Sequence, residues 1–174
     1  MPTMRPQPQA QPKSKTSDEL DPQDRALLEE AAEAAETAYA PYSKFSVGAA
    51  VRTRSGKTYK GSNLENAAYG VAMCAEVAAL TAANTAGDFD VVAIAVLGHP
   101  AGEPTRGHDI VTPCGRCRQM IYEASWVSDH DVRVICANGD GSKVNTWKIS
   151  ELLPSGFGPS TLGIDVKRFR KASE

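Results

Sequence analysis

The sequence predicts an α/β protein in which a mixed sheet of about five strands lies between two layers of helices. Two near-continuous apolar runs, 91–97 and 132–137, are typical of strands that are covered on both faces. Helical patterns lie between the predicted strands, so helices are expected on both faces of the sheet. The chain has 174 residues, which suits one such three-layer domain.

The first predicted helix begins at a typical cap. Asp21 is a favoured N-cap residue, and Pro22 has the fixed φ that suits the first helical position. Apolar residues then recur at helical spacing as far as Ala38, and Pro41 is expected to end the helix.

A hairpin is predicted next, followed by alternating helices and strands. Apolar residues alternate from Phe45 to Val51, which indicates a strand with one buried face. Ser55 and Gly56 are expected to form the turn, with the returning strand at 58–61. The later predicted elements are a helix at 74–85, a strand at 91–97, a helix at 114–123, a strand at 132–137 and a weaker strand at 144–147.

Both ends of the chain differ in composition from the middle. Residues 1–20 are rich in Pro, Gln, Lys and Ser and have little to bury, so we expect a disordered tail. The folded domain is expected over 21–164, followed by a short C-terminal tail over 165–174.

The composition argues against two classes of partner. The formal net charge of −2 gives no general attraction to nucleic acid. No apolar run reaches the roughly 18 residues of a membrane span, and no signal-peptide pattern is visible. Four cysteines without secretory features favour reduced thiols and a cytoplasmic protein, in which metal binding is more frequent than disulfides.

Three cysteines and a glutamate form the most informative pattern. Cys74 precedes Glu76 by two residues, and Cys114 and Cys117 open a later predicted helix. Three thiolates can hold Zn²⁺ and leave a fourth position for water, whose protons a nearby carboxylate can move. Residues two apart in a helix point about 200° apart, so Cys74 is expected at the non-helical position before its helix. The pattern predicts a catalytic zinc site with Glu76 as the catalytic residue.

Two arginines lie among the predicted zinc ligands. Three thiolates outweigh the two positive charges of zinc and weaken it as a Lewis acid, so a compensating cation is expected. Arg116 and Arg118 are the candidates, because guanidinium groups can donate to thiolate sulfur and withdraw charge.

Other interpretations of the cysteines remain open. Cys114 and Cys117 alone have the spacing of a redox pair. A closed structural zinc site, used for interaction rather than catalysis, needs a fourth protein ligand. Cys136 lies in an apolar strand pattern and is expected to be a buried core residue. The candidate histidines lie in predicted loops, where solvation is the usual state, and are His99, His108 and His130.

Five ordered pieces of the sequence together resemble the small, single-domain cytidine deaminases. The resemblance covers about residues 39–162, and its pieces are 40–50 (APYSKFSVGAA), 63–66 (NLEN), 74–76 (CAE), 113–119 (PCGRCRQ) and 152–157 (LLPSGF). It implies the cytidine deaminase-like α/β/α sandwich fold and a hydrolase that acts on a cyclic amidine C–N bond. The implied reaction converts cytidine and deoxycytidine to uridine and deoxyuridine, as in pyrimidine salvage.

The resemblance also implies roles for single residues. Zinc-bound hydroxide would attack C4 of the pyrimidine, with Glu76 as the proton shuttle. Asn63 and Glu65 would bind the ribose 3′-hydroxyl, and Phe45 would pack against the base. The backbone of Ala75 and of Cys114 would contact the ring.

Members of this family are typically homotetramers with shared active sites. The resemblance therefore implies that Phe157 reaches the pocket of a neighbouring protomer and that Tyr69 lies at an interface.

One departure from the family pattern affects the expected substrate. Many three-cysteine members have Arg directly after the glutamate, whereas this chain has Val77 there and Arg116 between two ligands. Blasticidin S deaminases resemble it in this respect, so a modified cytosine nucleoside is the alternative substrate. The Asn63-to-Asn66 piece favours an unmodified ribose or deoxyribose. Deamination of a base within RNA or DNA is disfavoured by the net charge.

Overall fold

The computed structural model describes residues 14–169, and these residues form a three-layer α/β/α sandwich. Its five strands are β1 (Phe45–Thr53), β2 (Thr58–Ser62), β3 (Val91–Pro100), β4 (Arg133–Ala137) and β5 (Val144–Lys148). Their order across the sheet is β2-β1-β3-β4-β5, and only β3 and β4 run parallel. The predicted mixed sheet is confirmed.

Four α-helices flank this sheet in the described part of the chain, and are α1 (Pro22–Glu36), α2 (Ala75–Thr85), α3 (Gly115–Ser128) and α4 (Ile149–Leu152). Apolar residues of α1 pack on one face of the sheet. Those of α2 and α3 pack on the other face, where the ends of both helices meet the site. Helices on both faces are therefore confirmed.

The start of α1 is as predicted, but its end is earlier. The Asp24 N–H donates to Oδ1 of Asp21 at 3.0 Å, which confirms the cap. The helix ends at Glu36 rather than near Pro41. Thr37 ends it, because its backbone N–H and its hydroxyl both donate to carbonyl oxygens of the last turn.

The prediction that β1 has one buried face is wrong, because most of both faces is buried. Gly48 and Ala50 lie on the face that α1 covers. A Cβ on Gly48 would collide with the backbone of Ala31, so the helix and the strand approach closely. Apolar alternation misses such a face because the residues that bury it are small rather than strongly hydrophobic.

Elements near the site are longer than predicted. The strand β3 continues to Pro100 because it pairs with β1 as far as Phe45. The helix α3 continues to Ser128, since Ala124 and Val127 extend its buried face, and Asp129 ends it with a φ of 51°. Cys136 lies in the core below α2 and α3, as expected.

The predicted terminal tails are only partly described. Residues 1–13 and 170–174 lie outside the described residues. Of the rest, Lys15 pairs with Val144 through two backbone hydrogen bonds of 2.9 and 2.7 Å, and Lys167 Nζ contacts Asp129 Oδ1 at 2.7 Å. Within 14–169, no helix has the length and apolarity that crossing a membrane requires.

Candidate active site

The first predicted zinc ligand lies directly before α2. Cys74 is the N-cap residue, with extended backbone angles of φ −77° and ψ 150°. Met73, just before it, exchanges backbone hydrogen bonds with Leu64, so the approach to the helix is fixed. The prediction that Cys74 is non-helical is confirmed. This geometry lets Glu76, in the first turn, share a site with the Cys74 thiol.

The other two cysteines open α3 in a similar way. Cys114 is the N-cap residue, with φ −67° and ψ 170°, and its carbonyl accepts the backbone N–H of Arg118 at 2.9 Å. Cys117 follows in the first turn and is buried. Its Sγ lies 3.6 Å from that of Cys114.

The three sulfur atoms form one cluster that fits Zn²⁺. The Sγ atoms of Cys74, Cys114 and Cys117 all lie within 4.8 Å of one another. Zn–S bonds of about 2.3 Å at tetrahedral angles place sulfurs about 3.8 Å apart, so little adjustment is needed. Cys136 and the three histidines are not part of this group. Three soft ligands from two helix starts match an open zinc site better than a closed one.

The metal-free thiols differ in acidity. Burial raises the pKa of both Cys74 and Cys117. Burial also opposes ionisation of Cys114, but hydrogen bonds from Cys117 and from the backbone of Arg116 hold its pKa below the usual range. A divalent cation deprotonates coordinating thiols, so binding of zinc here is expected to release protons.

Glu76 is a buried carboxyl beside the cysteine cluster. Only 4% of its surface is exposed, and this burial raises its pKa above the usual range. A hydrogen bond with Cys117 acts in the opposite direction. A buried carboxyl with a raised pKa can hold a proton closer to neutral pH, as general acid–base work requires.

A cleft of about 270 Å³ gives access to these groups. Its lining joins the start of α2, the segment before α3, and the β1–β2 side of the sheet. The predicted site residues in this lining are Asn63, Glu65, Cys74, Ala75, Glu76 and Cys114. The fold therefore brings these six residues, which come from three separate parts of the sequence, into one cleft.

A larger cavity of about 600 Å³ lies elsewhere and includes Arg52, Arg54 and Arg133 in its lining. Each of these arginines pairs with an aspartate at 3.2 Å or less. The cavity contains no part of the cysteine cluster, so we place the chemistry in the smaller cleft.

Comparison with known proteins agrees with this site. The family model for the cytidine and deoxycytidylate deaminase zinc-binding region matches residues 3–103, a stretch that contains Cys74 and Glu76 and ends before Cys114. The chain belongs to the cytidine deaminase family. Its relatives include the cytidine deaminase of Halalkalibacterium halodurans, which is 42% identical over 75% of this chain and 91% of its own.

Further members of the cytidine deaminase family show the same likeness. The Mycobacterium tuberculosis cytidine deaminase is 36% identical over 74% of this chain and 84% of its own length. In structure, the Burkholderia pseudomallei cytidine deaminase superposes with a TM-score of 0.66 at 42% identity. That match covers 76% of this chain and 97% of the other.

Asn63 and Glu65, which the cytidine deaminase family pattern singles out, are held by backbone groups. Asn63 Oδ1 accepts the N–H of Val47 at 2.8 Å, and its Nδ2 donates to the Phe45 carbonyl at 3.0 Å. Glu65 Oε2 accepts the N–H groups of Tyr42 and Ser43 at 2.9 and 3.2 Å. A hydrogen bond from the Ser43 side chain and these backbone donors hold the pKa of Glu65 below its usual range. Neither residue is a freely solvated loop residue.

The three aromatic residues named by the cytidine deaminase resemblance lie outside the lining of the cleft. Phe45 is half-buried next to the lining residues Val47 and Asn63. Phe157 is 60% exposed, and its carbonyl accepts Nε2 of Gln119 at 2.8 Å. Tyr69 is 75% exposed.

The two candidate arginines donate to backbone carbonyl oxygens rather than to the cysteine sulfurs. Arg116 Nη1 donates to the Ala72 carbonyl at 3.3 Å, which links the start of α3 to the segment before Cys74. Arg118 donates to the carbonyls of Pro113 and Leu152 at 2.8 and 3.1 Å. Among the described contacts, neither guanidinium group donates to a thiol.

The cleft includes residues that sequence analysis did not single out, such as Val47, Met73 and Thr112. The sequence could have indicated Val47, because its alternation with Phe45 placed it on the same strand face. For Met73 and Thr112 the only indication was that they lie near Cys74 and Cys114 in the chain.

Proposed function

We propose that this chain is a zinc-dependent cytidine deaminase that hydrolyses cytidine and deoxycytidine to uridine and deoxyuridine. One observation carries the proposal: a cluster of three cysteine sulfurs lies beside a buried glutamate in a cleft of about 270 Å³. Relatives named cytidine deaminases, including one that is 42% identical, supply the substrate class.

Cys74, Cys114 and Cys117 would hold the metal. When bound, Zn²⁺ supplies Lewis acidity that makes a water molecule nucleophilic at neutral pH. Glu76 accepts a proton from the attacking water and delivers it to N3 of the pyrimidine. Glu76 then transfers the remaining proton of that water from the new hydroxyl at C4 to the leaving amino group, which departs as ammonia. Burial suits it to this exchange because the cost of carrying charge is high there.

Five of the predicted residues bind the nucleoside, and are Phe45, Asn63, Glu65, Ala75 and Cys114. Asn63 and Glu65 have fixed head groups at the cleft and would bind the ribose 3′-hydroxyl. The Phe45 ring packs against the base, and backbone groups of Ala75 and Cys114 contact the ring edge. Prior fixing of these groups lowers the entropy that binding has to overcome.

A substrate panel tests the proposal. The purified protein is incubated with cytidine, deoxycytidine, blasticidin S and a cytosine-containing oligonucleotide, while loss of cytosine absorbance and zinc content are measured. We expect turnover of the two free nucleosides. Faster turnover of blasticidin S would favour the alternative substrate that Val77 and Arg116 suggest. Steeply salt-dependent binding and turnover of the oligonucleotide would contradict the choice of free nucleosides.

We propose a charge-compensating and bridging role for Arg116, with Arg118 holding the segment before Cys114. The Arg116→Ala variant is expected to lose about tenfold in zinc affinity and to shift its pH–rate profile to higher pH. Arg116→Lys, which keeps the charge, should recover part of both. Zinc affinity and a pH–rate profile that match the unmodified protein in Arg116→Ala would contradict the role.

We also propose a homotetramer with shared active sites, working in cytoplasmic pyrimidine salvage. Exposed aromatic side chains support this assembly, because Tyr69 and Phe157 are 75% and 60% exposed in the single chain. Light scattering is expected to give four chains per particle.

The Phe157→Ala variant is expected to raise KM for cytidine by about tenfold, because a neighbour's pocket loses an aromatic contact. Co-refolding with Glu76→Gln chains should restore a low KM, since those chains contribute an intact Phe157. Phe169→Ala is the matched control, because Phe169 is also exposed, at 63%, and matches no family motif. A monomer, or a KM that co-refolding leaves unchanged, would contradict shared sites.

A further inference from the structure

Gly98 lies near the end of β3, on the sheet face that α2 and α3 cover. It is the register partner of Val47, which lines the cleft. A Cβ built on Gly98 would lie 2.7 Å from Cε1 of Phe45, whereas ordinary contacts begin near 3.4 Å. The ring of Phe45 therefore occupies the space that a side chain at position 98 would fill.

Neither the backbone conformation nor helix packing accounts for a glycine at this position. Gly98 is absent from the glycines with positive φ, so other residues can adopt its backbone angles. Gly48 and Gly61 differ from it, because a Cβ there would meet backbone atoms of α1 or α2. At Gly98 the nearest atom belongs to the Phe45 side chain, and the nearest backbone atom, the Ser46 carbonyl oxygen of β1, lies further away at 3.1 Å.

The backbone of Phe45 is held by hydrogen bonds at both its N–H and its carbonyl. Its N–H donates to Ser43 Oγ at 3.1 Å, and its carbonyl accepts Nδ2 of Asn63 at 3.0 Å. Phe45 also pairs in register with Pro100. The contact with the Phe45 ring is the shortest, so an added methyl group at Gly98 is expected to displace mainly the ring, while the Ser46 carbonyl and the Val47 side chain need to move by only a few tenths of an ångström.

We propose that Gly98 is a positioning residue of the nucleoside site, because the absence of a side chain at position 98 leaves the space in which the Phe45 ring lies beside the cleft. We call this space the seat of the ring. The consequence for substrate binding rests on the proposed function, in which that ring packs against the pyrimidine, whereas the seat itself rests only on the contact between β3 and Phe45.

Kinetics of a double-mutant cycle test the proposal. Gly98→Ala is expected to raise KM for cytidine by about tenfold while kcat stays within about twofold, because ring displacement weakens binding without touching the zinc site. Phe45→Leu lacks the Cε1 atom that the methyl group would meet. Within the Phe45→Leu background, Gly98→Ala should change KM by less than about twofold.

A second measurement does not depend on activity. The chain has four phenylalanines, so ring-¹³C labelling gives few aromatic signals in an NMR spectrum. The Phe45 signal is assigned by its loss in Phe45→Leu, and Gly98→Ala is expected to shift it. If the unmodified protein fails to deaminate cytidine, the proposed function fails, while this spectrum still decides whether the seat exists.

Gly61→Ala is the control for a clash with backbone atoms and is expected to lower Tm clearly. Gly98→Ala should stay close to the Tm of the unmodified protein. The proposal is overturned if Gly98→Ala leaves both KM and the Phe45 signal unchanged. An equal rise in KM in both backgrounds, or a fall in Tm as large as that of Gly61→Ala, also overturns it.

Discussion

Glu76→Gln is expected to reduce turnover of cytidine by about ten-thousand-fold, with fold and zinc content retained. Gln has nearly the same shape as Glu but can neither accept the proton of the attacking water nor return it to the substrate. The effect is expected to be large because Glu76 is buried, while Glu65, the other carboxylate in the cleft lining, is engaged by the backbone N–H groups of Tyr42 and Ser43. Steady-state kinetics, circular dichroism and metal analysis measure the three quantities.

The same chemical change at Glu65 provides the control for Glu76. Glu65 lines the same cleft but holds the backbone of Tyr42 and Ser43. Glu65→Gln is therefore expected to act mainly on KM. If Glu76→Gln kept turnover within about tenfold of the unmodified enzyme, Glu76 would not be the general acid–base, and a zinc module without this chemistry would be favoured.

Cys117→Ser is expected to lower zinc from about one ion per chain to less than about a tenth, and to abolish deamination. Serine replaces a soft thiolate by a hydroxyl that stays protonated, so one of the three protein ligands is lost. Cys117 is fully buried in the sulfur cluster, and within residues 14–169 no fourth Cys, His, Asp or Glu joins that cluster to replace it. Metal analysis after dialysis against a weak chelator measures the loss.

Cys136→Ala is the matched control for Cys117→Ser. Cys136 is also a fully buried thiol, but it belongs to the core on β4 and lies outside the sulfur cluster. Its replacement removes one buried atom and is expected to lower stability by about 1 kcal/mol with zinc retained. If Cys136→Ala also removed the zinc, the three-cysteine assignment would be contradicted.

Helix starts and buried strand faces differ in how well the sequence predicts them. Helix starts were predictable because caps act locally: Asp21 and Cys74 each occupy the non-helical position that their neighbours require. The buried second face of β1 was not, because Gly48 and Ala50 show their purpose only when α1 packs on them. Hydrophobic alternation detects large side chains and overlooks close contact through small ones.

In the cleft, likewise, some residue roles were predictable from residue type and spacing, whereas others were visible only in the structure. The spacing of Cys74, Cys114 and Cys117 predicted the metal, and that of Glu76 predicted a proton carrier, because coordination chemistry limits which residue types can do this work. The backbone hydrogen bonds of Asn63, the bridge from Arg116 to Ala72 and the contact of Gly98 with Phe45 had no signal in the sequence.

The sequence by itself determined the ligand types, the helix starts that carry them and the order of strands and helices along the chain. These depend on chemistry and on conformational preferences within a few residues. Only the tertiary structure decided which side chains meet across the sheet edge, which carboxyl is buried and which ring rests on which glycine. Such contacts join residues far apart in the chain, and their geometry follows from how the helices pack on the sheet.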